Sequence, residues 1–207
     1  MDDPKRIVAR GYDEAAERHA AWALRTRTAE RLAYTRLVLD VIEPGARVLE
    51  LGCGAGGPTS RMLAERHRLV GVDLSWRSLR IARREIPSAA WVQADMARFG
   101  AAPASVDAVV AFYSIIHLPR EEHAGLFREI ARWLRPGGWF VASFGTRDAP
   151  GHVEDGWLGV RMYSSSHAAQ TTERLLRQAG FRIQRSRVET EDEDGQPVPF
   201  LWIVART

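Results

Sequence analysis

Cysteine is nearly absent from this chain: Cys53 stands alone among 207 residues. A single thiol cannot form an internal disulfide and excludes a cysteine-based zinc cluster, so no metal site is expected. Its place between two glycines points to a small side chain filling tight space rather than to a reactive group. Lysine is equally scarce. Lys5 is the only one, so 28 of the 29 lysines and arginines are arginines, scattered among 26 acids for a formal net charge of +3. The pI is near 9.5, yet no long basic run or interleaved aromatic motif marks a nucleic-acid face. Long apolar runs are missing too: none approaches the roughly 20 residues that cross a bilayer, and "MDDPKRIVARG" lacks the apolar stretch of a signal peptide. These absences point to the cytoplasm, with neither membrane nor nucleic acid expected as a partner. What is present, 45% apolar residues in 207 without internal repeats, suffices to bury one substantial core in a single domain.

The densest information lies in "VLELGCGAGGPTSRMLA", Val48 to Ala64. A short apolar strand runs into Glu50, then a glycine-rich turn, then a helix. Gly52, Gly54 and Gly56 let the backbone turn sharply and leave no Cβ between the loop and a ligand lying across it. Pro58 suits a first helical turn, where a missing N–H costs nothing. Gly52, Gly54 and Gly57 also spell the GxGxxG of dinucleotide-binding folds. Glu50 separates the two readings. A carboxylate ahead of the loop repels a pyrophosphate and suits a ligand carrying positive charge, such as S-adenosylmethionine with its sulfonium and ammonium groups.

A second landmark, "LVGVDLS", reads as a buried strand ending in Asp73 and Leu74, with the carboxylate 21 residues after Gly52, where it can accept both hydroxyls of an adenosine ribose. A third strand, "AAWVQADM", ends in Asp95 and Met96. With these pieces the chain resembles the class I S-adenosylmethionine-dependent methyltransferases of bacterial small-molecule type. "ELGCGAG" matches their glycine loop, "GVDLS" the ribose-binding strand end, and "QADM" the adenine-contacting pair. "VDAVVAFYSIIHLPREEHAGLFREIARWLRPGGWFVAS" matches the fourth strand, following helix and fifth strand. The resemblance implies a cofactor site of Tyr12, Glu50, Gly52, Cys53, Gly54, Gly56, Asp73, Leu74, Asp95, Met96 and Phe112.

The coarse pattern is alternating α/β. Helices are expected over most of Lys5 to Ile42, ended by Pro44 and Gly45. Strands are expected at about Arg47–Leu51, Leu69–Asp73, Ala90–Gln93, Ala108–Phe112, Trp139–Phe144, Phe181–Glu189 and Phe200–Ala205, with helices after the first, second, fourth and fifth. The expectation is a Rossmann-like fold: a mainly parallel seven-stranded sheet with an antiparallel last strand, helices on both faces and an N-terminal helical lid. "ETEDEDG", Glu189 to Gly195, could hold a cation, but the apolar strand behind Gln196 and Pro197 makes it an exposed hairpin turn.

Two segments outside the nucleotide motifs are expected to shape the acceptor pocket. The first, within residues 1–42, is "ARGYDEAAERHAAWA", similar to the family's "YDxxAxxY" lid. Tyr12 matches its first tyrosine, whereas His19 stands where the second should be; an ordinary amphipathic helix burying Tyr12, Ala16 and Trp22 is the alternative. The second, residues 145–168, contains "FGTRDAPGHVEDGWLGVRMYSSSHAAQ". Its glycines, prolines and serines forbid a continuous helix, while Trp157, Met162 and Tyr163 offer apolar surface alongside Trp22. Alternatively the segment packs on the sheet edge, with Ser165 or Ser166 capping the next helix.

If the acceptor must lose a proton, His117, just past the fourth strand, is the first candidate base, with Tyr113 and His19 next, Tyr163 and His167 weaker, and His123 exposed in a charged helix start. The expected activity is methyl transfer from S-adenosylmethionine to an O or N atom of a small metabolite. The alternatives are transfer to a macromolecule such as tRNA or protein, a non-catalytic cofactor-binding protein and, more distantly, a NAD-dependent oxidoreductase. The expected assembly is a monomer or homodimer.

Overall fold

The computed structural model describes residues 3–193 and 195–207, the side chain of Glu191 excepted. Asp194, inside the expected acidic turn, lies outside the described residues, as do Met1 and Asp2. The strands in chain order are β1 (Arg47–Leu51), β2 (Arg68–Asp73), β3 (Ala90–Gln93), β4 (Val106–Ala111), β5 (Leu134–Gly145), β6 (Ala149–Trp157), β7 (Val160–Ser166), β8 (Arg182–Glu193) and β9 (Gln196–Arg206). The helices are α1 (Pro4–Ala23), α2 (Thr28–Val41), α3 (Pro58–Arg66), α4 (Trp76–Glu85), α5 (Arg120–Trp133) and α6 (Ala169–Gln178).

Seven strands form one sheet ordered β3-β2-β1-β4-β5-β9-β8. The first five pair in parallel, and β9 inserts antiparallel to both β5 and β8. β1 and β4 carry near-continuous apolar runs because both their faces are covered. Successive residues feed opposite layers: Leu49 and Leu51 join Phe127, Ile130 and Trp133 on one face, while Val48 joins Leu63, Val110 and Trp202 on the other. On that second face Tyr34 of α2 stacks on Trp202 with ring centroids 4.2 Å apart. Chain order reverses between β1 and β4, which opens a crevice at their carboxyl ends.

The N-terminal helical stretch is two helices, broken between Ala23 and Thr28, where Arg27 has φ 55°. Pro58 opens α3 as expected. The insertion after β5 has more order than its composition indicated. β6 and β7 form an antiparallel hairpin closed by Leu158 and Gly159, both at positive φ (47° and 78°), the geometry of primed hairpin turns. This hairpin packs on α1, sharing a cluster of Ile7, Val8, Ala15, Val160, Met162 and Tyr163. Gly11 permits the approach, because a Cβ there would lie 2.6 Å from the Arg161 carbonyl oxygen. α1 and the hairpin therefore form one roof above the strand ends.

Neither Ser165 nor Ser166 caps the following helix, which corrects the alternative reading of this segment. β7 runs on to Ser166 and the α6 cap position is Ala168, so both serines are strand residues with their hydroxyls engaged elsewhere. Ser165 Oγ donates to the Leu118 carbonyl at 2.7 Å, and Ser166 Oγ to that of Arg147 at 2.6 Å. Among the described residues no helix is long and apolar enough to cross a membrane.

Candidate active site

A cavity of about 670 Å³ opens at the carboxyl ends of β1, β2 and β4 and is roofed by α1 and the β6–β7 hairpin. Its floor is the glycine loop. Gly52 and Gly54 both sit at positive φ (71° and 54°), the left-handed region that glycine enters without steric cost. A Cβ on Gly52 would lie 2.2 Å from Ser114 Cβ. Ser114 Oγ meanwhile donates to the Leu51 carbonyl at 2.7 Å, tying the end of β1 to the loop after β4. Gly56 serves packing: a Cβ there would come 3.0 Å from Ala82 Cβ of α4.

Three carboxylates surround this floor. Glu50 is buried and accepts the Ser60 hydroxyl at 2.6 Å. Burial pushes its carboxyl up to about 7, against the pull of Ser60 and the Arg31 guanidinium. Asp73 accepts the backbone N–H groups of Gly54 and Ser75, each at 2.8 Å, so one side chain holds the loop and the start of α4 together. Burial raises its carboxyl too. Asp95 accepts the Ala97 N–H at 2.9 Å and the Lys5 ammonium at 2.6 Å. Burial works against the Lys5 charge, but Asp95 and Glu122 together outweigh it and raise its pKa. Cys53 lies beneath the loop, its Sγ 2.8 Å from where a Cβ on Gly71 would stand. Burial pushes its thiol well up, so it stays protonated and unreactive.

Leu74, Met96 and Phe112 complete the cavity wall, and Tyr12 closes it from above. A loop opened by glycines at 52, 54 and 56 and flanked by three acids fits S-adenosylmethionine: Asp73 would take the ribose hydroxyls, Asp95 with Met96 the adenine, and Glu50 the positively charged methionine portion.

The roof is aromatic. Tyr12 lies 4.9 Å from His19 and 5.5 Å from Trp157, centroid to centroid, and Trp22 lies 5.9 Å from Trp157. The Tyr12 hydroxyl stands 2.8 Å from His117 Nε2, and His117 Nδ1 stands 2.7 Å from the Tyr163 carbonyl oxygen. A carbonyl only accepts, so Nδ1 carries the proton, and Nε2 accepts from Tyr12. Burial lowers His117 to about 4 and raises the Tyr12 phenol, so neither group is charged at neutral pH. His19 also falls to about 4, by burial first and then through Arg31, His117 and Arg27. Its Nδ1 is buried without a hydrogen-bond partner among the described residues.

The expected site residues divide clearly. All eleven cofactor residues line the cavity, and so do His117, Tyr113, His19, Trp22, Trp157 and Met162. Tyr163 does not. Met162 and Ser164 face the cavity, and strand alternation turns the Tyr163 ring the other way, onto Gly151; only its carbonyl serves the site. His123, expected to be exposed, is 2% exposed; its Nε2 bonds the Leu118 carbonyl at 3.1 Å because α5 turns that face toward the loop after β4. His167 bonds the Arg120 carbonyl at 3.1 Å, away from the cavity. Sequence reasoning did not find Ser60, Ser114, Arg27 or Arg31. The two serines act from a helix's first turn and a loop, where hydroxyls are common, and the arginines are two among 28.

Residues 48–138 match a family model described as a methyltransferase domain. The trans-aconitate 2-methyltransferase of Azoarcus sp. (strain BH72) is 44% identical over 117 residues, covering 55% of this chain and 43% of that protein. A probable S-adenosylmethionine-dependent methyltransferase of Mycolicibacterium smegmatis is 33% identical, covering 68% and 53%. The chain spans about half the length of these curated relatives. Among solved structures, the Burkholderia thailandensis 1,6-didemethyltoxoflavin-N1-methyltransferase, with its acceptor and S-adenosylhomocysteine bound, superposes with a TM-score of 0.74 at 19% identity, covering 100% of this chain and 91% of that one. Residues 48–138 thus carry a methyltransferase-domain match, and the whole chain shares the fold of solved S-adenosylmethionine-dependent methyltransferases.

Proposed function

We propose that this protein transfers a methyl group from S-adenosylmethionine to an oxygen or nitrogen atom of a small molecule held between the glycine loop and the aromatic roof. The observation that carries the reading is one continuous cavity in which an acidic, glycine-rich floor meets a roof of Tyr12, His19, Trp22 and Trp157. When bound, the cofactor supplies an electrophilic methyl on a positively charged sulfur. The protein's share is then mostly alignment in a water-poor pocket, an effect that reaches roughly 7–11 kcal/mol in well-oriented systems.

His117 serves in this reading as a positioning residue. Both its ring nitrogens are engaged, and it fixes the Tyr12 hydroxyl above the loop. His19, which lines the cavity and whose buried Nδ1 has no hydrogen-bond partner among the described residues, is the remaining candidate proton acceptor. Its low basicity confines that role to acceptors whose proton is already acidic. The roofed cavity and the relatives named for small acceptors favour a metabolite over a macromolecule. Calorimetric titration with S-adenosylhomocysteine and with NAD tests the cofactor half: the first is expected to bind and the second not, and the reverse overturns the proposal.

A further inference from the structure

Two non-glycine residues with left-handed backbone face each other across the acceptor side of the cavity. Arg27, at the joint between α1 and α2, has φ 55°, and Tyr113, just past β4, has φ 54°. The Arg27 guanidinium lies 5.0 Å from the Tyr113 ring centroid, 5.4 Å from that of Trp22 and 4.4 Å from that of Phe200. Strained backbone of this kind persists where surrounding structure holds it for a purpose, and here its result is a cation fixed by three rings at the cavity wall. Arg31, one turn into α2, adds a second guanidinium 5.1 Å from the same Tyr113 ring. Both cations depress His19, which shows that their field reaches the roof.

Within the described residues the acid facing Arg27 is Glu193, at the tip of β8, which also lines the cavity. The pair is largely buried, at 10% and 17% side-chain exposure, yet Arg27 Nε has no hydrogen-bond partner among the described residues. A guanidinium carries five donors in a planar fork that matches a carboxylate in two parallel bonds. Glu193 reaches it from a hairpin tip, whereas the glycine loop and the floor behind it are locked by Asp73 and Ser114. The exchangeable member of the pair is therefore the acid.

We infer that the acceptor is a carboxylate-bearing small molecule, and that its carboxylate takes the place of Glu193 on Arg27. The inference rests on the methyltransferase reading for the cofactor half of the cavity. It also accounts for the weakly basic histidines. Where a carboxylate oxygen of that acceptor is the atom methylated, it attacks the methyl carbon as the S–CH3 bond breaks and has no proton to lose, so His19 and His117 can stay neutral and shape the site.

Benzoate against benzamide, and succinate against succinamide, titrated into the protein with and without S-adenosylhomocysteine, test the inference. The carboxylate of at least one pair is expected to bind tenfold or more tighter than its amide. Arg27→Gln is expected to erase that preference. Glu193→Gln, which removes the internal competitor, is expected to tighten carboxylate binding several-fold; if the pair were purely structural, the same change would loosen it. Should Arg27→Gln fail to fold, Arg31→Gln and Glu193→Gln carry the test. Equal binding of amides, binding by no member of either pair, or unchanged carboxylate affinity in Glu193→Gln overturns the inference. Failure of S-adenosylhomocysteine itself to bind overturns the methyltransferase reading instead, and the arm without it still measures the anion preference.

Discussion

The floor and the roof of the cavity are built by different means. The floor is backbone: glycine turns locked from below, with Asp73 bonding two N–H groups and Ser114 tying β1 to the loop after β4. The roof is side chains: a helix and a hairpin meeting through small residues, their aromatic rings stacked edge to face above the loop. Backbone geometry tolerates almost no substitution because every change alters the turn itself. A side-chain roof can be repacked without disturbing the floor. Binding of the cofactor should thus depend on few positions and strongly, and acceptor turnover on more positions and weakly.

The largest effect is expected from Gly52→Ala. A Cβ there meets Ser114 at 2.2 Å on backbone at φ 71°, so the variant should lose cofactor binding and about 1–3 kcal/mol of stability, read by calorimetry and chemical denaturation. Asp73→Asn keeps the shape but removes charge-assisted hydrogen bonds worth about 1.5–3 kcal/mol, or roughly one to two decades in cofactor affinity. Parent-like binding in both variants would show that the floor does not hold the cofactor.

That the floor was legible and the roof was not follows from the same contrast. A turn that only glycine can make, followed by a carboxylate at a strand end, leaves its mark at fixed spacing, so Glu50, Gly52, Asp73 and Asp95 could be read directly. Trp157 and Met162 were visible only as composition, and the hairpin that places them was not foreseen. Tyr163 reads as a pocket residue from composition alone, because strand alternation cannot be applied before a strand is recognised. Arg27 and Ser60 leave no signal at all, since a cation stacked on rings and a hydroxyl one turn into a helix resemble ordinary surface residues.

pH sharpens the comparison. Glu50 is raised to about 7 from an ordinary value near 4.5, so it takes up a proton in the folded protein as pH falls through 7 and gives it up to bind a cationic ligand. Cofactor affinity should therefore rise with pH between 6 and 8, and Glu50→Gln should flatten that slope, measured by titration at each pH. His19, His117 and His123 work the other way on stability. Each is lowered to about 4 from 6.5, so the unfolded chain binds more protons below 6.5 and stability should fall as pH drops from 6.5 toward 4. His67 is lowered by burial as well and Asp73 raised, so four histidines oppose two carboxyls and thermal melting should show net destabilisation across that window.

Smaller effects belong to the roof. Trp157→Ala and Met162→Ala should lower turnover with little change in cofactor affinity, whereas Tyr163→Phe, whose ring faces away, should do neither. Tyr12→Phe and His117→Gln remove the same hydrogen bond, so a double-mutant cycle on cofactor binding should give a coupling of about 1 kcal/mol.

The central claim is that floor and roof together serve methyl transfer to a small molecule. Incubation with methyl-labelled S-adenosylmethionine and a cell extract, followed by separation into small-molecule, protein and RNA fractions, measures it most directly. Enzyme-dependent label is expected in the small-molecule fraction and lost with Asp73→Asn; label in protein or RNA, or none beyond the cofactor, would contradict methyl transfer to a small molecule.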